Sequence, residues 1–235
     1  MSARILAFMN SAGGSGRTTS ALAMAVAFSE YGRRVLMVDC DPQGALSFIL
    51  GKEGSRRGAY DIFTGRERAL AMIHQTDERV DLIPASPKLA ELSALRDEQV
   101  LYKALNDFEY DIIIIDTGSG TSALHRSVLA AADEIFIPTR LDLLSARGVL
   151  AVADGISRYR ARLRGILPTN VDIRSKHGNE VMRSLKERFG ALMIEPGIPK
   201  SPLMLDSVVA GQSLLNFKKA SEVAGRYREI TYDFL

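Results

Sequence analysis

The sequence predicts an α/β fold, with a mostly parallel, twisted sheet that carries helices on both faces. Strand-like and helix-like segments alternate through the 235 residues, and a glycine-rich turn joins the first predicted strand to the first predicted helix. The run 110–116 holds apolar residues at consecutive positions, which is typical of a strand buried on both faces. No repeat, low-complexity tract or linker interrupts the pattern. We therefore predict a single domain over residues 1–235.

The composition limits the class of protein. A hydrophobic fraction of 46% is enough for one substantial core, and a charged fraction of 25% is that of an ordinary globular chain. The lone cysteine, Cys40, excludes a disulfide framework and any cluster held by several thiolates of one chain. The sequence contains neither a signal-like apolar region nor an apolar run of bilayer length, so we expect a cytoplasmic protein.

Six strands and three long helices are predicted in chain order. The first strand, 5–9, is followed by a helix at 19–31 that ends at Gly32, a residue type common just after helices. The second strand, 34–39, ends in an acid. Further strands are predicted at 80–84, 110–116, 134–138 and 165–168, and further helices at 143–164 and 179–189.

The turn at 10–19 has the context of a phosphate-binding loop, because it lies between a strand and a helix. Its glycines let successive backbone N–H groups curl around phosphate oxygens, and the helix N-terminus adds a positive dipole end. Thr18 is placed to offer its hydroxyl to Mg²⁺. The strict pattern GxxxxGK[ST] fails twice, with Ser11 at its first glycine and Arg17 at its lysine. A glycine-rich turn that binds nothing is therefore an alternative.

Three acids support the phosphate-loop interpretation. Asp39 and Asp41 lie at the end of the second strand, and Asp116 ends the apolar strand 110–116. In an open parallel sheet, ligands bind at the carboxyl ends of strands, so these acids and the loop should converge. Carboxylates near a phosphate site fit a hydrated Mg²⁺ ion. Each acid could instead cap a loop or a helix.

Several segments match motifs of a known family. Residues 12–19, AGGSGRTT, are similar to KGGxGKTT, and residues 38–44, VDCDPQG, match VDxDPQG closely. The other matches are 110–116 with the Walker B stretch YDxxxID, 132–138 with ADEVLIP, Ile198-Pro199 with IP, and Gly211 with GKP. The chain thus resembles the ParA/MinD family of P-loop NTPases over nearly its whole length. It is most similar to the ParA proteins that segregate plasmids and chromosomes.

The resemblance implies a reaction cycle that uses ATP and Mg²⁺. Two copies clamp ATP between them, the homodimer binds DNA without sequence preference, and a ParB-like or cargo-adaptor protein stimulates hydrolysis and release. Such a protein is nucleoid-associated when it holds ATP. MinD binds membranes through a basic amphipathic C-terminal helix, whereas this sequence ends in 228–235 without one, so we expect no membrane docking.

The resemblance also assigns roles to residues of this chain. Thr18 ligates Mg²⁺, Asp39 and Asp116 hold the metal's water ligands, and Asp41 orients the attacking water as a catalytic residue. Arg17 takes the place of the phosphate-binding lysine. The nucleotide-binding set is Ala12, Gly13, Gly14, Ser15, Gly16, Arg17, Thr18 and Thr19, with Asn170 and Pro199 near the base.

Both lysines of the family's loop are missing. Ala12 replaces the signature lysine, which reaches across the dimer, and Arg17 replaces the lysine that holds the β- and γ-phosphates. Arginine keeps the charge but is bulkier and planar, so hydrolysis could be slow or lost. A hydrolysis-deficient nucleotide-binding scaffold or regulator is the alternative function. Arg147 is a candidate to supply the charge lost at Ala12; otherwise it is a solvated helix residue.

An arginine-rich stretch gives a candidate DNA surface. From Gly120 onward the chain holds 17 Lys and Arg against 12 Asp and Glu. Lysines and arginines bind DNA phosphates in a sequence-independent, salt-dependent way. A merely solvated helix face is the alternative. The candidate residues are Arg158, Arg160, Arg162, Arg164, Lys218 and Lys219.

Overall fold

The computed structural model describes residues 3–65, 68–95, 97–106, 108–120 and 122–235. The strands are β1 Arg4–Phe8, β2 Val35–Cys40, β3 His74–Gln75, β4 Asp81–Ile83, β5 Ile112–Thr117, β6 Glu134–Arg140 and β7 Arg162–Thr169. They form one sheet in the order β3-β4-β2-β5-β1-β6-β7. Every neighbouring pair is parallel except β3 with β4.

Ten α-helices connect and cover these strands in the described part of the chain. They are α1 Arg17–Glu30, α2 Ala45–Ile49, α3 Ala59–Phe63, α4 Val100–Leu105, α5 Ala123–Ala131, α6 Leu143–Ile156, α7 Lys176–Phe189, α8 Leu203–Val209, α9 Leu214–Phe217 and α10 Glu222–Tyr232. None of the described helices is both long and apolar enough to cross a bilayer.

Two apolar cores lie on opposite faces of the sheet, and β5 serves both. Its side chains alternate, with Ile113 and Ile115 in the core under α3 to α7, and Ile112 and Ile114 in the core under α1 and α10. Each fully buried isoleucine contributes about 1.5–3 kcal/mol relative to an exposed one. This two-sided burial explains the consecutive apolar residues of the strand, and it confirms the predicted sheet with helices on both faces.

The structure changes one predicted helix. The segment 143–164 was predicted to be helical throughout, but α6 ends at Ile156 and β7 begins at Arg162. The Arg162 backbone N–H donates to the Asp133 carbonyl at 3.0 Å, and Arg162 lies opposite Glu134 in the parallel register of β6 and β7. Strand pairing along β6 therefore overrides the helical pattern in this stretch.

Helix α10 packs along α1 and fixes its position beneath the sheet. Buried Tyr227 and Ser20 share a hydroxyl hydrogen bond of 3.0 Å. Near the far end of α1, Arg228 donates to Glu30 at 2.6 and 2.9 Å. Helix α1 is thus held at both ends, and its N-terminus stays at the carboxyl edge of the sheet.

Candidate functional site

The register of the sheet brings the glycine-rich turn and the acids together. Asp116 of β5 lies opposite Phe8, the last residue of β1, and opposite Asp39 of β2. All three strands run parallel, so their carboxyl ends share one edge. The turn after β1, the segment after β2 and the loop after β5 all leave from this edge, as the sequence predicted.

The turn itself has the backbone conformation of an open anion-binding loop. Gly14 and Gly16 adopt positive φ values of 68° and 87°, which L side chains rarely adopt. Gly16 caps the N-terminus of α1, where unpaired N–H groups and the helix dipole favour an anion. A Cβ added at Gly13 or Gly14 would meet no atom within 4 Å, so the outer side of the loop is open.

Thr169, at the end of β7, fixes the inner side of the loop. Its hydroxyl donates to the Ser15 carbonyl at 2.8 Å. A Cβ at Gly16 would lie 3.2 Å from the Thr169 side chain, so Gly16 is also the residue that lets β7 approach. The resemblance places the segment of Thr169 and Asn170 near the base of a nucleotide, but no local feature of the sequence shows that β7 reaches the loop.

Asp116 is buried, and neither of its carboxylate oxygens has a hydrogen-bond partner among the described residues. Burial raises the pKa of Asp116 well above its usual range, and the neighbouring Asp39 charge raises it further. Thr18 and Arg17 lower the pKa in part, although the Thr18 hydroxyl does not reach hydrogen-bonding geometry with the carboxylate. Buried carboxylates without partners are rare, and an unpaired one at this edge fits the surroundings of a cation.

Asp39 is buried as deeply, but its carboxylate is fully engaged. It accepts from the Ser47 N–H at 2.9 Å, the Ser47 hydroxyl at 2.7 Å and the Asp41 N–H at 3.1 Å. Burial raises the pKa of Asp39 to about 6, against the lowering effect of these donors. Hydrogen bonds therefore hold the Asp39 carboxylate in one orientation, whereas the neighbouring Asp116 carboxylate accepts none from the described residues.

These acids do not form a ready-made cage for direct metal ligation. Among the described residues, no group of three or more His, Cys, Asp or Glu side chains is placed to hold a metal ion. The donor set instead consists of one free carboxylate, one fixed carboxylate and the Thr18 hydroxyl. Such a set fits Mg²⁺, which keeps several water ligands and uses one or two carboxylates.

Asp41 lies against the loop that follows β5. Its carboxylate accepts from the Gln43 N–H at 2.9 Å and would be 3.0 Å from a Cβ at Gly118. Behind that loop, His125 contacts the Gly118 carbonyl at 3.0 Å, and its Nδ1 accepts from the Ser122 N–H at 3.1 Å. No role was predicted for His125, because its contacts with Gly118 and Ser122 depend on the tertiary fold.

The structure places the Arg17 guanidinium inside the loop. Nε donates to the Thr117 carbonyl at 2.8 Å, and Nη1 donates to the carbonyls of Asn10 at 2.7 Å and Ala12 at 2.6 Å. A longer contact of 3.3 Å reaches the Ser15 hydroxyl. Burial lowers the pKa of Arg17, against the raising effect of the nearby Asp116 and Asp41 charges.

Ala12 and Arg147 line the same groove between the loop and α6. The groove has a volume of about 730 Å³ and also contacts Leu143 and Leu144, which are 65% and 71% exposed. Arg147 is exposed at its rim. Ala12 and Arg147 thus lie along one surface. That Arg147 supplies the charge missing at Ala12 stays a prediction.

Comparisons with known proteins identify the family of this chain. The sequence model of the AAA domain family matches residues 3–169. Chromosome-partitioning ATPase Soj of Thermus thermophilus is 30% identical over 240 residues, which cover 99% of this chain and 95% of the relative. The chain belongs to the ParA/MinD family of P-loop ATPases. Chromosome partitioning protein ParA of Caulobacter vibrioides is 27% identical, with 96% of each chain covered.

Solved structures share the fold of this ParA/MinD-family chain. Cobyrinic acid a,c-diamide synthase from Mycobacterium smegmatis, with bound ADP and magnesium, is 30% identical with a TM-score of 0.85 over 99% of this chain and 94% of that one. MinD from Pyrococcus horikoshii, complexed with Mg-ADP, is 22% identical with a TM-score of 0.82 over 99% and 96%. The second likeness shows the fold alone.

The residues predicted to lie near the base of a nucleotide follow β7. Asn170 is exposed and has a positive φ of 52°, and Pro199 pairs with Val171 in an isolated parallel bridge. Both therefore lie close to Thr169, which contacts the phosphate loop. Their role in binding a base stays a prediction.

The arginine-rich stretch is divided between paired and unpaired side chains. Arg160 donates to Asp133 at 2.7 Å and lies 5.3 Å over the Tyr102 ring. Arg164 lies 3.5 Å from Glu134 and 4.5 Å over the Phe234 ring. The remaining candidates are exposed, with no side-chain ion pair among the described residues; they are Arg158, Arg162, Lys218 and Lys219.

Proposed function

We propose that this chain is an ATP-binding switch of the ParA type that acts in the partition of chromosomes or plasmids or in the positioning of a protein cargo. The observation that carries the proposal is the buried, unpartnered Asp116 beside an open glycine-rich loop. A buried carboxylate without partners is costly unless a cation accompanies it. Mg²⁺ bound with ATP supplies that cation, as the ADP and magnesium in the M. smegmatis structure support.

Each polar group of the site has one task in this proposal. The backbone N–H groups of the loop 13–16 bind phosphate oxygens. The Thr18 hydroxyl would ligate Mg²⁺, and the carboxylates of Asp39 and Asp116 would hold its water ligands. Asp41 positions the attacking water. Mg²⁺, when bound, neutralises charge on the phosphates.

The groove beside the loop is the proposed contact with a second copy. Leu143 and Leu144 are large apolar side chains exposed at its edge, and burial of such side chains drives association. ATP held at the loop would complete this surface, so we propose a dimer that depends on ATP. Nonspecific DNA and a ParB-like or cargo-adaptor protein are the proposed partners of the dimer, and the names of the Soj and ParA relatives support a role in partition.

A hydrolysis-deficient scaffold is the second candidate function. Ala12 carries no charge, and the Nε and Nη1 groups of Arg17 are already hydrogen-bonded to carbonyls of β5 and of the loop. Positive charge on the transferred phosphoryl group is a large part of catalysis in this chemistry. The scaffold would bind ATP and dimerise without turnover.

ATP turnover separates the two candidates. We would measure phosphate release by the full chain with and without nonspecific DNA, and its size in ATP and in ADP. Asp41→Ala removes the proposed water-positioning group, and Asp154→Ala, an exposed acid on α6, is the matched control. Slow turnover that Asp41→Ala abolishes and Asp154→Ala retains is the expected result. An ATP-dependent dimer without turnover would identify the scaffold, and no ATP binding at all would overturn both candidates.

A further inference from the structure

The side chain of Arg17 is hydrogen-bonded to the same loop that is proposed to bind a nucleotide. Three backbone carbonyls accept from it, those of Asn10 and Ala12 in the loop and that of Thr117 at the end of β5. All three distances lie between 2.6 and 2.8 Å. The residue is only 9% exposed. Arg17 thus connects the end of β5 to the loop that follows β1.

These contacts occupy one donor of each pair through which a guanidinium binds a phosphate with two hydrogen bonds. A guanidinium binds an oxyanion side-on through Nε and one terminal nitrogen, or end-on through both terminal nitrogens. In Arg17 the Nε and Nη1 groups are both occupied by neutral oxygens. Neither oxygen of the nearby Asp116 accepts a hydrogen bond from it. Only the Nη2 group makes no hydrogen bond to the described residues.

We propose that Arg17 competes with the nucleotide for its own phosphate loop, and that this competition sets a low affinity for ATP. The inference rests on the proposed function, because it assumes that the loop binds a nucleotide. To bind a phosphate side-on, Nε must first leave the Thr117 carbonyl, and to bind it end-on, Nη1 must first leave the carbonyls of Asn10 and Ala12. Hydrogen bonds to a charged donor in a buried place are strong, so the exchange opposes binding.

A lysine at position 17 would compete less. Its ammonium is a single point with three donors, whereas the planar guanidinium spans Nε and Nη1 and so reaches Thr117 and Ala12 together. Arg17→Lys should therefore weaken the internal contacts and leave a cation free for phosphate. We expect the variant to bind Mg-ATP more tightly, by roughly tenfold, which corresponds to about one hydrogen bond.

The test measures two quantities on the full chain. One is the dissociation constant for Mg-ATP by calorimetry, and the other is the melting temperature without nucleotide. The control is Arg33→Lys, an exposed arginine that follows α1. Ser15→Ala removes only the 3.3 Å contact and serves as a second variant should Arg17→Lys fold poorly. A lower melting temperature together with tighter Mg-ATP binding is expected for both loop variants, more strongly for Arg17→Lys, with the control unchanged.

Other outcomes contradict the proposal in distinguishable ways. Equal or weaker Mg-ATP binding by Arg17→Lys would show that Arg17 helps the nucleotide as much as it opposes it, and would overturn the competition alone. An unchanged melting temperature would show that the carbonyl contacts do not hold the nucleotide-free protein, with the same consequence. Absence of Mg-ATP binding by the wild type and by every variant would overturn the proposed function, and the competition with it.

Discussion

At the scale of the residue, two buried aspartates at neighbouring strand ends have opposite surroundings. Asp39 accepts three hydrogen bonds from Ser47 and Asp41, while Asp116 accepts none from the part of the chain that the structure describes. Both have raised pKa values, because burial disfavours the charged carboxylate. The hydrogen-bond donors around Asp39 limit this rise in pKa. Ionisation of Asp116 therefore costs more free energy than ionisation of Asp39.

Asp116→Asn should stabilise the nucleotide-free protein at neutral pH, by roughly 1–3 kcal/mol, because the fold disfavours ionisation of this buried, unpartnered carboxyl and an amide does not ionise. A carboxyl whose folded pKa is raised stabilises the fold below its unfolded pKa and loses that effect as pH rises. The wild type should therefore lose stability as pH rises above about 4, and Asp116→Asn should lose less. Thermal unfolding across pH 4–8 measures both effects.

The matched variant for this prediction is Asp39→Asn. An amide at this position would place an N–H₂ group among donors from Ser47 and Asp41, so it should destabilise the protein although it removes the same charge. Equal effects of the two substitutions would contradict the difference in their surroundings. Since Asp116 is the proposed metal-facing acid, Asp116→Asn should also lose the stabilisation that Mg-ATP gives the wild type.

At the scale of the element, α6 is fitted closely against the start of the phosphate loop. The Asn10 side chain donates to the Pro138 carbonyl at 2.9 Å and accepts from the Ala12 N–H at 3.0 Å. Gly148 of α6 packs on this amide, since a Cβ there would come within 2.0 Å of Asn10 Oδ1. The helix therefore helps to set the position of the loop.

Gly148→Ala should destabilise the protein by about 1–3 kcal/mol, because the added methyl group overlaps Asn10 and forces the loop or the helix to shift. The same shift should weaken Mg-ATP binding. Gly155→Ala in the same helix is the control: its Cβ would lie 3.9 Å from Leu129, an ordinary contact, so stability should rise by about 0.5–1 kcal/mol. Denaturant unfolding and calorimetry would check the pair. Equal changes in both variants would contradict the fit between α6 and Asn10.

The same scale shows what the sequence can and cannot predict. The strand 110–116 and the acid at its end were predictable, because burial on both faces leaves a consecutive apolar run and parallel strands bring their carboxyl ends together. The end of α6 was not, because pairing of Arg162 with β6 depends on a partner strand. The contacts of Arg17 with Thr117 were not predictable either, since they join residues far apart in sequence.

At the scale of the whole molecule, the net charge of +2 does not predict whether the protein binds DNA. DNA binding depends instead on which lysines and arginines are exposed and not engaged in ion pairs. Arg160 and Arg164 are committed to Asp133 and Glu134. The exposed Lys218 and Lys219 follow α9 and make no ion pair with the described residues. The predicted DNA surface is therefore narrower than the run of arginines indicated.

Lys218→Ala combined with Lys219→Ala should weaken binding of the ATP-bound protein to nonspecific DNA and flatten its salt dependence. Each lost phosphate contact lowers the slope of log K against log salt by about 1, so the double variant should lose about 2. Arg160→Ala is the control, because its guanidinium is already bonded to Asp133 and stacked on Tyr102. Titrations of a fluorescent duplex from low to high salt would measure the slopes. The slope could also fall as much in Arg160→Ala as in the double lysine variant. That result would show that ion pairs within the protein do not determine which arginines and lysines contact DNA. An unchanged slope in the double variant would place the DNA surface elsewhere, and Arg158 and Arg162 would then be the cations to replace.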